Sequence, residues 1–151
     1  MSVFRYLLRV RYSECDAQKV VFNARYGEYI DLATTELMRA VGFGEALGSG
    51  ELDYQLVKQV IEWNAPAQFD QVLELSVWAE HLGTTSFTLR TDIRIAGQER
   101  VICSAQTVNV QVDGQTLTKK PLSPELRSAL QSGAAGRSTD HAGYLQDACP
   151  S

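Results

Sequence analysis

From Leu56 to Asp113 the sequence alternates apolar and polar residues with few interruptions: LVKQVIEWNA, VLELSVWAEHL, TSFTLRTDIRIA and ERVICSAQTVNVQVD. Each segment reads as a strand, and the connections APAQFDQ, Gly83-Thr84 and Ala96-Gly97-Gln98 are short turn-formers. Links this short join antiparallel neighbours, because a parallel pair needs a crossover of a dozen residues or more. A sheet of such long strands must cover its apolar face. The chain offers one long element for that purpose. Tyr26, Tyr29, Ile30, Ala33, Leu37 and Val41 recur at helical spacing, with Glu28, Asp31, Thr35 and Arg39 on the other side. One long helix followed by a run of antiparallel strands predicts an α+β fold in which the sheet wraps around the helix.

The ends of these elements carry signals of their own. Phe4, Tyr6, Leu8 and Val10 predict a first strand over residues 3–11. Asn23 has the chemistry of a helix cap, and Gly42 can supply the left-handed residue that ends the helix, giving about 18 residues or ~27 Å. Gly27 inside that helix costs up to about 1 kcal/mol relative to Ala, which suggests close approach of a neighbouring backbone. GFGEALGSGELD reads as a loop with one short helical turn, and Asp113-Gly114 as a tight turn into a last short strand ending at Lys119. Ser123-Pro124-Glu125 opens a final helix that Gly133 closes. We therefore expect one domain over residues 1–132 and a flexible C-terminal tail over 133–151, which is small and polar.

A formal net charge of −4 argues against nucleic-acid binding, which needs a basic field. No run approaches the ~18 apolar residues of a membrane span, and MSVFRYLLRV does not resemble a signal peptide, so a cytoplasmic protein is expected. Cys15, Cys103 and Cys149 are an odd number without metal-ligand spacing and read as free thiols. With only His81 and His141 besides, neither a metal site nor a cofactor is expected.

The chemistry concentrates in RYSECDAQKVVFNARYGEYIDLA, residues 11–33. Helix N-termini carry unpaired N–H groups and about half a positive charge, so they suit an oxygen that becomes anionic during reaction. Acyl transfer also needs a group that attacks the carbonyl or activates water. Asp16 lies in the loop that leads to Asn23, seven residues on, so one short loop carries both halves.

V-R-Y-x-E-x-D-A followed by V-V-F-N-A-R-Y-x-E-Y resembles the hotdog-fold acyl-CoA thioesterases of the 4-hydroxybenzoyl-CoA thioesterase type. The resemblance continues through Trp63-Asn64-Ala65-Pro66-Ala67-Gln68-Phe69, through Gly83-Thr84-Thr85-Ser86, and ends with Lys120-Pro121-Leu122-Ser123-Pro124-Glu125-Leu126. It implies hydrolysis of an acyl-CoA thioester to free acid and CoA. By the same resemblance, Asp16 is nucleophile or general base, the backbone N–H of Asn23 polarises the carbonyl, and Tyr12 matches a position that lines the site in some members. A homodimer or homotetramer with sites at subunit interfaces is also implied. The chain departs from the family at Gln18-Lys19, where Gly-Gly or Gly-His is usual, at Asn23, where His or Tyr is, and at Asp70-Gln71, where Gly-Asp is.

Competing roles separate by chemistry. Cys15 has no basic neighbour in sequence to lower its pKa, and the position of Glu14 is not catalytic in the family. Thr84, Thr85, Ser86 and Lys120 are candidates for substrate binding, against an ordinary role as turn and strand residues. Lys19, Arg90, Arg94, Lys119 and Lys120 are candidates for the CoA phosphates. The hydratases of the same fold place a histidine beside their acid, and no His precedes residue 81. A non-catalytic protein that binds acyl-CoA or acyl-carrier protein is the alternative reading.

Overall fold

A computed structural model describes residues 2–147, so Cys149 lies outside the described residues. The strands are β1 (Phe4–Arg9), β2 (Tyr54–Trp63), β3 (Val72–Leu82), β4 (Ser86–Ile95), β5 (Val101–Gln111) and β6 (Ser138–Asp140). The helices are α1 (Arg25–Ala40), α2 (Gly44–Ser49), α3 (Pro124–Ser132) and α4 (Tyr144–Asp147). One sheet holds all six strands in the order β2-β5-β4-β3-β1-β6, antiparallel except for the β1–β6 pair.

Strand alternation places one row of side chains after another on the inner face. Phe4, Val77, Thr91, Ala105 and Ile61 face one another across five strands, and Tyr6, Leu75, Ile93, Cys103 and Trp63 form the next row. Against these rows α1 lays Tyr26, Tyr29, Ile30, Ala33, Leu37 and Met38, all buried in the same core. The stripe read from the sequence is thus the packed face, except that Val41 ends the helix and Met38 joins it. A side chain such as Leu or Phe fully removed from water here contributes about 1.5–3 kcal/mol. The outer face is polar, with Arg5 on Glu74 at 3.0 Å and Arg90 and Arg94 sharing Asp92.

Helix boundaries follow their chemistry with one correction. Gly42 has φ 99°, and Phe43 N–H to Met38 O with Gly42 N–H to Arg39 O satisfies the last carbonyls of α1. The Ser123 hydroxyl accepts from Leu126 N–H at 3.1 Å, capping α3. Asn23, however, does not cap α1. The helix begins at Arg25, the cap position is Ala24 with helical φ and ψ, and no side chain bonds there. The chain enters the helix through a turn, Arg25 N–H to Phe22 O, which takes over part of the work of a cap. Gly27 is not pressed by a neighbouring backbone either: a Cβ there meets only Gln59 Oε1, at 3.7 Å. The strand expected to end at Lys119 is reduced to one bridge, Val112 to Lys119, beyond a turn held by the Asp113 carboxylate.

Residues after Ser132, read from sequence as a tail, carry β6 and α4. β6 runs beside β1, and Arg137 donates to Ala40 O at the end of α1, at 2.7 Å. Tyr6 Oη and His141 Nδ1 are 3.0 Å apart, and the Asp140 carboxylate accepts from Ala142 and Leu145 N–H. Composition hides such a segment because its anchors are polar and backbone bonds rather than an apolar stripe.

Candidate active site

Residues 14–22 form a small hairpin. Phe22 N–H donates to Glu14 O, Asp16 N–H to Val20 O and Lys19 N–H to Asp16 O, with Cys15 opposite Val21. Two bonds strap it to the Ala67–Phe69 turn: Val21 N–H to Ala67 O at 2.9 Å and Phe69 N–H to Lys19 O at 3.1 Å. The two most distinctive sequence motifs therefore meet in space. Tyr26 Oη accepts from Ala67 N–H at 3.3 Å, tying the start of α1 to the same turn.

Two residues within the departures from the family pattern have left-handed backbone. Lys19 has φ 64° and Asp70 has φ 71°. Side chains other than Gly pay about 1–2 kcal/mol there, so the turn is kept without the residue that makes it easiest.

Beneath the hairpin lies Glu14, 3% exposed. Its carboxylate accepts from Arg11 N–H at 2.8 Å, from Arg11 Nη2 at 2.7 Å and from Tyr29 Oη at 2.9 Å. Burial alone raises this carboxyl, but the Arg11 and Tyr29 bonds and the guanidinium charge outweigh it and hold the group below its usual range. Burial, and then the Glu14 bond, push the Tyr29 hydroxyl upward. Both oxygens of the Glu14 carboxylate are occupied, which suits it to holding the loop rather than to proton transfer. The spacing R-x-x-E was the signal for it in the sequence.

Asp16, in contrast, is exposed. Its Oδ1 accepts from Gln18 N–H at 2.8 Å, and Oδ2 takes no hydrogen bond among the described residues. Past Phe22 the N–H groups of Asn23 and Ala24 find no acceptor among the described residues. Counting along the hairpin, Asn23 lies three residue pairs from Asp16, about 10 Å between backbones. Cys15 is a poor nucleophile in this setting, because burial and then the Glu14 and Asp16 charges push its thiol up.

Tyr12 is 70% exposed and packs edge-on against Phe69, with ring centroids 5.5 Å apart. It flanks the hairpin and makes no side-chain bond to Asp16 among the described residues. Thr84, Thr85, Ser86 and Lys120 lie at the other end of the sheet. Thr84 O and Thr85 O accept from Leu122 and Gln111 N–H, and Lys120 N–H donates to Gln111 O. β3 alone, 11 residues long, separates the two ends by ~36 Å. Within one chain these four residues are therefore not brought to Asp16. Of the candidate cations only Lys19 lies beside it. Arg90 and Arg94 belong to the outer sheet face, and Lys119 lies with Lys120 at the far end.

A groove of about 460 Å³ opens next to the start of α1, between that helix and the β2–β5 edge, with Ala24, Gly27, Gln59, Thr107 and Asn109 among its walls. Among the described residues no helix is long and apolar enough to cross a membrane, and no group of acidic, His or Cys side chains could hold a metal.

Residues 10–130 match the family model of the thioesterase-like superfamily. An acyl-CoA thioester hydrolase from Escherichia coli is 29% identical over 113 residues, covering 74% of this chain and 84% of that protein. A 1,4-dihydroxy-2-naphthoyl-CoA hydrolase from Synechococcus elongatus is 25% identical over 134 residues, covering 87% of this chain and 97% of that one. The solved structure of a 1,4-dihydroxy-2-naphthoyl-CoA thioesterase from Synechocystis superposes with a TM-score of 0.75 over 84% of this chain and 94% of its own, at 20% identity, which is a likeness of fold.

Proposed function

Because this chain belongs to the thioesterase-like superfamily and has its hotdog fold, we propose that it hydrolyses an acyl-CoA thioester to free acid and CoA. Asp16 supplies the nucleophile or general base, and the Asn23 N–H binds the carbonyl oxygen. The observation that carries the reading is the pairing of a carboxylate whose Oδ2 is free with amide N–H groups, at a helix start, that have no acceptor among the described residues.

The separation suits the chemistry. A carbonyl carbon about 3 Å from the carboxylate, with its oxygen about 3 Å from an N–H donor, spans the gap left by a backbone spacing of about 10 Å. In one route Asp16 attacks the carbonyl carbon, the C–S bond breaks, CoA leaves as thiolate, and water then cleaves the mixed anhydride. In the other, Asp16 takes a proton from water as the water attacks. Both routes put negative charge on the same carbonyl oxygen, where an N–H donor is worth about 10²–10³ in rate.

The working unit is a homodimer or homotetramer with sites at subunit interfaces. β2 is a long edge strand that exposes Leu56, Val57, Val60 and Trp63, the kind of edge that pairs with another chain. Two-fold antiparallel pairing of β2 sets the Tyr54 end of a second copy against the Trp63 end of the first. That arrangement carries Thr84, Thr85, Ser86 and Lys120 of the second copy toward Asp16, where they can meet the CoA portion of the substrate.

Thiol release from a panel of acyl-CoAs, read alongside a thermal shift with CoA, tests the function. Release with at least one acyl-CoA is expected. A shift with no release across the panel contradicts hydrolysis and favours a non-catalytic acyl-CoA binder.

A further inference from the structure

The large apolar side chains left exposed on this chain follow one line. Leu32 and Leu145 apart, those among the described residues lie along β2 or at its two ends. Leu56, Val57 and Val60 belong to the strand itself, and Trp63 closes it. Beyond Trp63, whose ring meets Tyr26 edge-on at 6.3 Å, come Phe22, Phe69 and Tyr12, the last two in contact beside the Asp16 hairpin. Leu117 stands alone at the opposite end, 59% exposed. Apolar surface gathered in this way, rather than spread singly, marks an interaction surface.

Leu117 is also held in a conformation that leucine avoids. Its φ is 58°, and a left-handed residue of this kind persists only where its surroundings enforce it. Here they do. Asp113 N–H donates to Thr118 O, Leu117 N–H donates to Asp113 O, and the Asp113 carboxylate accepts from Gln115 and Thr116 N–H. The loop leans on the residue that precedes β2: Val112 N–H donates to Asp53 O, and a Cβ on Gly114 would come 2.8 Å from Asp53 Oδ2. A well-bonded loop thus presents one strained apolar side chain to solvent, just past the Tyr54 end of the edge strand.

Two-fold pairing of β2 sets the Tyr54 end of one copy against the Trp63 end of the other, and Leu117 then overshoots Trp63 toward the turn that carries Phe69. We propose that Leu117 of a second copy packs against the Tyr12–Phe69 pair, so that the loop of one chain walls the Asp16 site of the other. The inference rests on the thioesterase reading and the β2 pairing above, and it adds a residue that the partner supplies to the site. It accounts for two exposures at once, since the aromatic pair and the leucine each lack cover within one chain. Leu117 also joins Lys19 and Asp70, two other left-handed residues, at one place.

Leu117→Gly removes the side chain and relieves the backbone, so a role confined to its own loop predicts equal or higher melting and unchanged activity. The proposal predicts instead that kcat/KM for the best acyl-CoA falls tenfold or more. The dimer dissociation constant, measured by sedimentation, should rise tenfold or more as a leucine contact is lost at each site. Co-expressing Leu117→Gly with Asp16→Asn in equal amounts decides whose site is affected. In a mixed dimer the intact Asp16 faces the intact Leu117 of the other chain, so activity should recover to about a quarter of wild type, above either variant alone. No recovery in the mixture places the effect of Leu117 within its own chain and overturns the inference. Unchanged kcat/KM overturns it too, as does a wild-type chain that sediments as a monomer. If wild type releases no thiol from any acyl-CoA, the thioesterase reading falls, and the dissociation constant alone decides the packing: unchanged by Leu117→Gly, it overturns that as well.

Discussion

Tyr29 donates its hydroxyl to the Glu14 carboxylate at 2.9 Å, and both side chains are buried. This bond joins the main helix to the hairpin that carries Asp16, so the position of the proposed catalytic carboxylate depends on a neighbour two residues away that does no chemistry. Tyr29→Phe should cost about 1.5–3 kcal/mol, the usual loss for a bond to a charged group. Urea unfolding of the two proteins measures it.

The same carboxylate makes stability depend on pH. Glu14 sits below its ordinary 4.5 in the folded chain, so on acidification the unfolded chain takes up this proton first. Its contribution is therefore fully present above about that pH and is lost as the pH falls through the lower folded value. Glu14→Gln should be less stable at neutral pH and show a shallower acid limb in a plot of stability against pH.

Replacing Lys19 by Gly relieves a left-handed residue with φ 64°. Relief of the 1–2 kcal/mol strain, less the extra freedom Gly gives the unfolded chain, predicts a net gain of about 0.5–1 kcal/mol. Equilibrium denaturation checks it, and a loss of stability would show that the Lys19 side chain holds the turn.

A chain ended at Ser132 removes β6, the Tyr6–His141 contact and the Arg137 bond to the end of α1. If the domain needs only residues 1–132, melting is unchanged. The pairing along β1 predicts instead that the shortened chain melts several degrees lower, since each 1 kcal/mol moves the midpoint of a domain this size by about 2–4 °C.

Much of this was legible in the sequence, for a physical reason. Strand alternation and the Tyr26–Leu37 stripe are properties of the local chain, and so are the Ser123 cap and the Gly42 stop, which appear where their chemistry requires. Asn23 was misread because Asn is a good cap in isolation, whereas a turn closed by Phe22 O starts this helix one residue later. Gly27 was misread because it lines a groove instead of meeting a neighbouring backbone, and no local spacing encodes that. The saturation of Glu14 depends on which residues meet across the fold, and only the three-dimensional arrangement discloses it. The separation of Thr84–Ser86 from Asp16 is of the same kind, since it follows from strand length and order.

Backbone and side-chain roles at position 23 can be separated directly. Asn23→Pro removes the N–H and should lower kcat by about 10²–10³, whereas Asn23→Ala keeps the N–H and should lose far less. Equal losses in the two variants would mean that the side chain, not the backbone, serves the reaction.

The central claim is tested most directly by Asp16→Asn, assayed for thiol release with the best acyl-CoA of the panel, with the melting temperature confirming that the fold is kept. The substitution retains the bond from Gln18 N–H to Oδ1 and removes the charge. Turnover should fall by about 10²–10⁴ with little change in melting. Turnover close to that of the unaltered protein would contradict the assignment of Asp16 as nucleophile or base.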